Sequence, residues 1–195
     1  MKKLISAILI LLLCLGIYSC GKNDAASTAT TATTDPSVFI YPLTYSSIYT
    51  GGAAGDIAPN YCSGTSSGYT EAPFYSTSTH DLKDRLPLSK WSNAVYSLQG
   101  HKISSSWESL WDGTIDMSLH QAEVIADNDS TGEIGFWTGT KSDGTFSGDN
   151  CRDWSSDTST DNGTWGSFLS KDSQWIDNST ASCSATKYFL CFKYN

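Results

Sequence analysis

The sequence predicts an exported α+β domain of short strands, one or two short helices and long ordered loops, closed by two disulfides. Its body is rich in Trp, Tyr, Ser, Thr, Gly and Asp and poor in Leu, Ile and Val, which favours short strands and turns over long helices. Its β-favouring runs are brief and separated by turn residues. Besides Cys20 the mature body holds Cys62, Cys151, Cys183 and Cys191, an even number that in an exported chain points to two bridges, with three connectivities open. No pair of them has metal-finger spacing.

Export is read from the N-terminus. Lys2 and Lys3 precede an apolar run over residues 4–17 and then Ile17-Tyr18-Ser19-Cys20, the pattern of a secretory signal that ends in a lipobox. The run falls short of the roughly 20 apolar residues a spanning helix needs. Residues 1–19 are therefore expected to be a cleaved lipoprotein signal peptide, and Cys20 the lipidated residue. Acyl chains contribute about 0.8 kcal/mol per buried CH₂, so more than one chain makes a stable anchor. Residues 20–37 follow as a tether: ten of the sixteen residues 21–36 are Ser, Thr or Ala, with no large apolar side chain to offset the ordering entropy. Residues 38–195 are enough for one domain with one core.

Within that domain, Val38-Phe39-Ile40-Tyr41 is the first strand. Residues 51–68, with five glycines, read as loop around Cys62. Residues 79–86 form a helical turn ahead of Pro87, and residues 91–98 a buried apolar segment of either type. Ser105-Ser106-Trp107-Glu108-Ser109-Leu110-Trp111 predicts a short helix with Ser105 as N-cap and Glu108 closing a capping box. Trp107, Leu110 and Trp111 then share one core-facing side. Residues 122–126 and 134–137 read as strands around a turn at 127–132. Residues 187–192, apolar on both parities, read as a strand buried on both faces.

Charge limits the partners. The formal charge is −8, and losing Lys2 and Lys3 with the leader takes it to −10. Such a surface repels phosphate and acidic polysaccharide, and no basic stripe is present, so no nucleic-acid partner is expected. No Gly-x-Ser-x-Gly elbow marks a nucleophile, and no catalytic residue is assigned. His80, His101 and His120 lack ligand spacing, and no metal site is assigned to them. The loop from Cys151 to Cys183 carries Asp153, Asp157, Asp161, Asp172 and Asp177. No EF-hand order is visible there, so no cofactor is expected, with Ca²⁺ in this loop kept as the alternative. Sequons at Asn128, Asn162 and Asn178 read as accidental in a bacterial lipoprotein. Trp137 and Trp154 read as core. Trp165, between Gly163 and Gly166, reads as more exposed and as the candidate for partner contact.

Several stretches carry a resemblance. Phe136-Trp137-Thr138-Gly139-Thr140-Lys141-Ser142-Asp143-Gly144, Asn150-Cys151-Arg152-Asp153-Trp154, Ala181-Ser182-Cys183 and Tyr188-Phe189-Leu190-Cys191-Phe192 resemble the C-terminal half of endostatin, a collagen-derived domain with a C-type-lectin-like fold. Ser106-Trp107-Glu108 resembles its Ser-Trp-Glu helix. The resemblance implies Trp107, Trp137, Gly139 and Trp154 as motif core. It also implies nested disulfides, Cys62 with Cys191 and Cys151 with Cys183. Zinc is not carried over, because no His precedes His80 and Gly100 stands at the place of the ligating aspartate. Heparin binding is not carried over either, since the only arginines are Arg85 and Arg152.

A lipobox joined to such a domain resembles the leptospiral endostatin-like surface lipoproteins. That resemblance implies a non-catalytic adhesin, lipid-anchored in the outer membrane and exposed at the cell surface. Its partners would be host extracellular-matrix proteins, complement factor H or plasminogen, with the membrane met through the lipid alone. The alternatives are a carbohydrate-binding lectin-like protein and a periplasm-facing structural envelope lipoprotein.

Overall fold

In the computed structural model the described residues are 37–44, 48–62, 64–66, 68–125 and 135–195. The signal, Cys20 and nearly all of the tether lie outside them, as does the expected turn at 127–132. No helix among the described residues is long and apolar enough to cross a membrane.

Alternation builds the first strand. In β1 (Ser37–Pro42) Val38, Ile40 and Pro42 point inward and are buried, while Ser37, Phe39 and Tyr41 face the other way and are half-buried. The chain then runs through β2 (Tyr49–Thr50), α1 (Ala53–Tyr61), β3 (Gly64–Ser66), β4 (Tyr69–Pro73), β5 (Ala94–Ser97) and β6 (Lys102–Ser104). It continues with β7 (Gly135–Trp137), α2 (Cys151–Trp154), β8 (Asn162–Ser167), β9 (Ser179–Ser182), β10 (Thr186–Lys187) and β11 (Leu190–Tyr194). The first and last strands meet: β1 pairs antiparallel with β11 and parallel with β5, inside a six-stranded sheet ordered β3-β4-β11-β1-β5-β6. A three-stranded antiparallel sheet, β7-β8-β9, and the pair β10-β2 complete the architecture. The fold is thus mixed α+β, mostly sheet, with two short helices and two disulfides among the described residues.

Two clusters fill it. The larger joins Val38, Ile40, Val95, Ile103 and Phe192 of the large sheet to Phe74, Trp107, Leu110, Phe136 and Trp175. Aromatic rings replace the scarce aliphatics here, with Phe74 packed edge-on to Trp107 and Phe192 at centroid distances of 5.9 and 6.2 Å. The second cluster holds Ala58, Tyr75, Trp137, Trp154 and Phe189 together with all four cysteines of the bridges. Cys62 is bonded to Cys191 and Cys151 to Cys183, across sequence separations of 129 and 32.

Several local expectations are corrected. Residues 51–68 are not loop throughout, because α1 occupies Ala53–Tyr61 despite Gly55 and Pro59 within it. A Cβ at Gly55 would sit 2.4 Å from the Trp154 carbonyl oxygen, so the glycine that looks like a helix breaker is what lets this helix lie against α2. The Trp107 segment is a 3₁₀ turn over Glu108–Asp112, not an α-helix, and Ser105 does not cap it. Ser106 does: its hydroxyl accepts from the Ser109 N–H at 3.0 Å, while the Ser109 hydroxyl accepts from the Ser106 N–H. The shared face holds, with Trp107 and Leu110 wholly buried and Trp111 packed against them. Residues 122–125 are turn and bend, not strand, because Ala122 and Val124 N–H groups bond back to the Ser118 and Leu119 carbonyls. Residues 187–192 are not one strand. β10 ends at Lys187 and β11 begins at Leu190, and the chain passes between sheets at Tyr188 and Phe189. Tyr188 enters the larger cluster and Phe189 the second, which is why both parities are apolar.

Candidate functional site

The motif residues come together around α2. Asn150 opens it, accepting from the Asp153 N–H at 2.9 Å. The four residues that follow wind left-handed, with φ of 54° at Cys151, 54° at Arg152, 55° at Asp153 and 62° at Trp154. Each non-glycine residue in that region costs roughly 1–2 kcal/mol, so a run of four persists only where its surroundings hold it. Here they do. Cys151 is bridged to Cys183, and the Trp154 indole N–H donates to the Ser76 carbonyl at 2.8 Å. The Asp153 carboxylate takes the Ser78 N–H and hydroxyl, both at 2.6 Å, and the Asn150 amide at 2.7 Å. Gly139, itself at φ +56°, lies where a Cβ would be 2.8 Å from the Trp154 ring. Trp137 is wholly buried and donates from its indole to the Tyr49 carbonyl at 3.0 Å.

The acidic loop spends its carboxylates separately. Asp161 accepts from the Ser156 hydroxyl and pairs with Arg152 Nε at 2.9 Å, and Asp172 caps the turn at Ser173–Trp175 through the Gln174 N–H. Asp153 is held as described, and Asp157 is exposed. Among the described residues no three His, Cys, Asp or Glu side chains gather as a metal-holding group. The histidines stand apart: His80 Nδ1 lies 2.9 Å from the Thr79 hydroxyl, His101 pairs with Glu123 at 3.8 Å, and His120 is half-buried.

These hydrogen bonds set an acid limit. The Ser78 hydroxyl holds Asp153 below the usual carboxylate range, and the Thr145 and Ser156 hydroxyls do the same for Asp143 and Asp161. A depressed folded value stabilises the fold above the unfolded pKa, near 3.9, and that stability disappears as pH falls through the lower folded value. Urea unfolding midpoints should therefore be flat above pH about 5 and drop steadily below about 4. Because the main donors are neutral hydroxyl and backbone groups in direct contact, the slope should change little with salt.

Trp165 is half-buried, and one face of its ring carries the Lys187 ammonium at 3.7 Å from the ring centroid. Trp137 lies 5.8 Å from the same ammonium. That face of Trp165 is therefore covered by Lys187. Burial pulls the Lys187 pKa below its ordinary value.

A second cation was not singled out as a site by the sequence. Arg85 ends a 3₁₀ turn at Lys83–Arg85, and its guanidinium carbon lies 5.3 Å from the Tyr75 ring centroid. Its Nε is buried without a hydrogen-bond partner. The one available signal was scarcity, since an acidic chain with two arginines gives each of them few competitors for anions.

Compared with known proteins, the chain matches no family model and no curated protein. What the fold and these geometries define is a class: a sheet-dominated α+β domain with two nested disulfides and a loop region fixed by side-chain hydrogen bonds.

Proposed function

We propose that this protein is a non-catalytic binding module with an endostatin-like, C-type-lectin-like domain. A lipid on Cys20 anchors it in the outer membrane and presents it at the cell surface to host extracellular-matrix or plasma proteins. The observation that carries this reading is the convergence of both nested bridges and the motif residues Trp137 and Trp154 on one cluster, beside the zipped first and last strands. That arrangement pins the loops around α2 to the core, and rigid scaffolds that display pinned loops suit recognition. Pre-ordered loops lose little entropy on binding, which favours affinity from a modest surface.

The test uses the full chain with its bridges formed, held in a neutral detergent and offered host serum and matrix extract. Selective capture of a matrix or plasma protein, lost when the bridges are reduced and alkylated, is the expected result. In the producing cell, Cys20→Ala should move the chain from the membrane fraction to the soluble one. Capture no better than by detergent micelles alone overturns the binding reading, and unchanged membrane association of Cys20→Ala overturns the anchor.

A further inference from the structure

The two arginines are placed in opposite ways. Arg152 has a side chain 74% exposed and is paired with Asp161. Arg85 is half-buried and belongs to no ion pair among the described residues, where the pairs involve His101, Lys102 and Arg152 instead. If both cations served only stability, the buried one would hold the counter-charge, since an uncompensated charge is most costly away from water. The carboxylates closest to it in sequence do not supply it: Asp81 accepts from the Phe146 N–H at 2.7 Å, and Asp84 is exposed and in no ion pair with Arg85. Burial draws the Arg85 pKa down, with the Tyr75 phenol as the one group that opposes the shift. The group stays cationic at neutral pH, as arginine does in proteins.

The guanidinium is also held in place. Tyr75, beneath it, is buried against Trp154 at 5.0 Å and Phe189 at 6.1 Å. The turn that bears Arg85 is pinned on both sides: the Lys83 N–H donates to the Gly144 carbonyl, the Lys83 carbonyl accepts from the Trp107 indole, and the Leu86 carbonyl accepts from the Trp91 indole. Nε is buried and without acceptor, whereas neither Nη nitrogen is among the buried unpartnered atoms. The fork therefore meets solvent through its Nη end.

We infer that Arg85, laid over Tyr75, is a preformed binding site for a carboxylate, which its two Nη groups would grip side by side. A planar oxyanion matches the fork and supplies the missing counter-charge in a partly desolvated setting, where such hydrogen bonds are strongest. The carboxylate belongs either to a small free acid or to an acidic residue of a bound protein. In the second case Arg85 is a contact of the binding module proposed above, and the inference then rests on that reading.

Two arginines give two Nε–H signals in a ¹⁵N-labelled full chain in neutral detergent, and Arg152→Lys at its exposed position assigns them without touching Arg85. Sodium acetate is added against sodium chloride at constant ionic strength. The Arg85 signal should shift and saturate, with a midpoint on the order of 10 mM, as expected for one charge-assisted fork, while the Arg152 signal stays in place. An N-acetylated, C-amidated triglutamate that saturates the same signal at a concentration at least about tenfold lower points to a protein carboxylate. Equal midpoints per carboxylate point to a small free acid. Drift of both signals together without saturation, or an Arg85 signal unmoved by about 200 mM acetate, overturns the site. The readout is separate from host-protein capture: saturation without capture keeps the site and removes the binding module, and capture with an unmoved Arg85 does the reverse.

Discussion

Replacing Cys62 and Cys191 together by alanine should lower the unfolding free energy by about 5 kcal/mol, more than loss of the other bridge. The bridge closes a sequence separation of 129, and on a chain-entropy account a loop of that length contributes about 5 kcal/mol by restricting the unfolded chain, against about 4 for the separation of 32 between Cys151 and Cys183. Both cysteines are wholly buried beside Ala58, Tyr75 and Phe189, so the deleted sulfurs also leave unfilled volume. Against a total stability that is typically 5–15 kcal/mol, such a loss brings the domain close to unfolding. Urea denaturation of the double variant, beside the Cys151→Ala/Cys183→Ala pair, measures it. A midpoint within error of the parent's would mean that the sheet holds itself and that the long bridge is incidental.

Trp107→Ala should cost about 3–5 kcal/mol, the range for an aromatic side chain removed from a packed core. The ring is wholly buried, 5.0 Å from Phe192, 5.3 Å from Trp111 and 5.9 Å from Phe74 by centroid. Its indole N–H also satisfies the Lys83 carbonyl at 2.8 Å, and an orphaned buried acceptor costs about 1–3 kcal/mol in its own right. Trp107→Phe separates the two effects, because it keeps most of the ring contact and loses the hydrogen bond. It should fall between parent and alanine variant in denaturant, with near-ultraviolet circular dichroism retained. If phenylalanine proves as damaging as alanine, the hydrogen bond dominates and the packing account fails.

What the sequence made legible was what local chemistry decides. Alternation of Val38 and Ile40 with Phe39 and Tyr41 placed the first strand, and the spacing of Trp107, Leu110 and Trp111 placed their common buried face. The cysteine count pointed to two bridges, whereas their pairing came only through resemblance. Other features were hidden because tertiary contacts decide them. Gly55 and Pro59 argue locally against a helix, and α1 forms where the missing Cβ admits the Trp154 carbonyl. Nothing in Cys-Arg-Asp-Trp announces positive φ, which is imposed by Asn150, Ser78 and the bridge to Cys183. The polar strand β9, Ser179–Ser182, carries no apolar pattern and exists because β8 offers it a ladder. For the same reason Trp165 drew notice in the sequence and Arg85 did not: exposure and counter-charge are properties of neighbours that lie far away along the chain.

The central position of β1 bears on how the domain carries load. On the anchoring proposed above, tension would enter at residue 37, in a strand bonded on one flank to β11 and on the other to β5. A pull along its axis shears both ladders at once and cannot peel them apart bond by bond. β11 is in turn riveted through Cys191 to the end of α1. A domain arranged in this way resists a pull on residue 37 better than its modest aliphatic content would suggest.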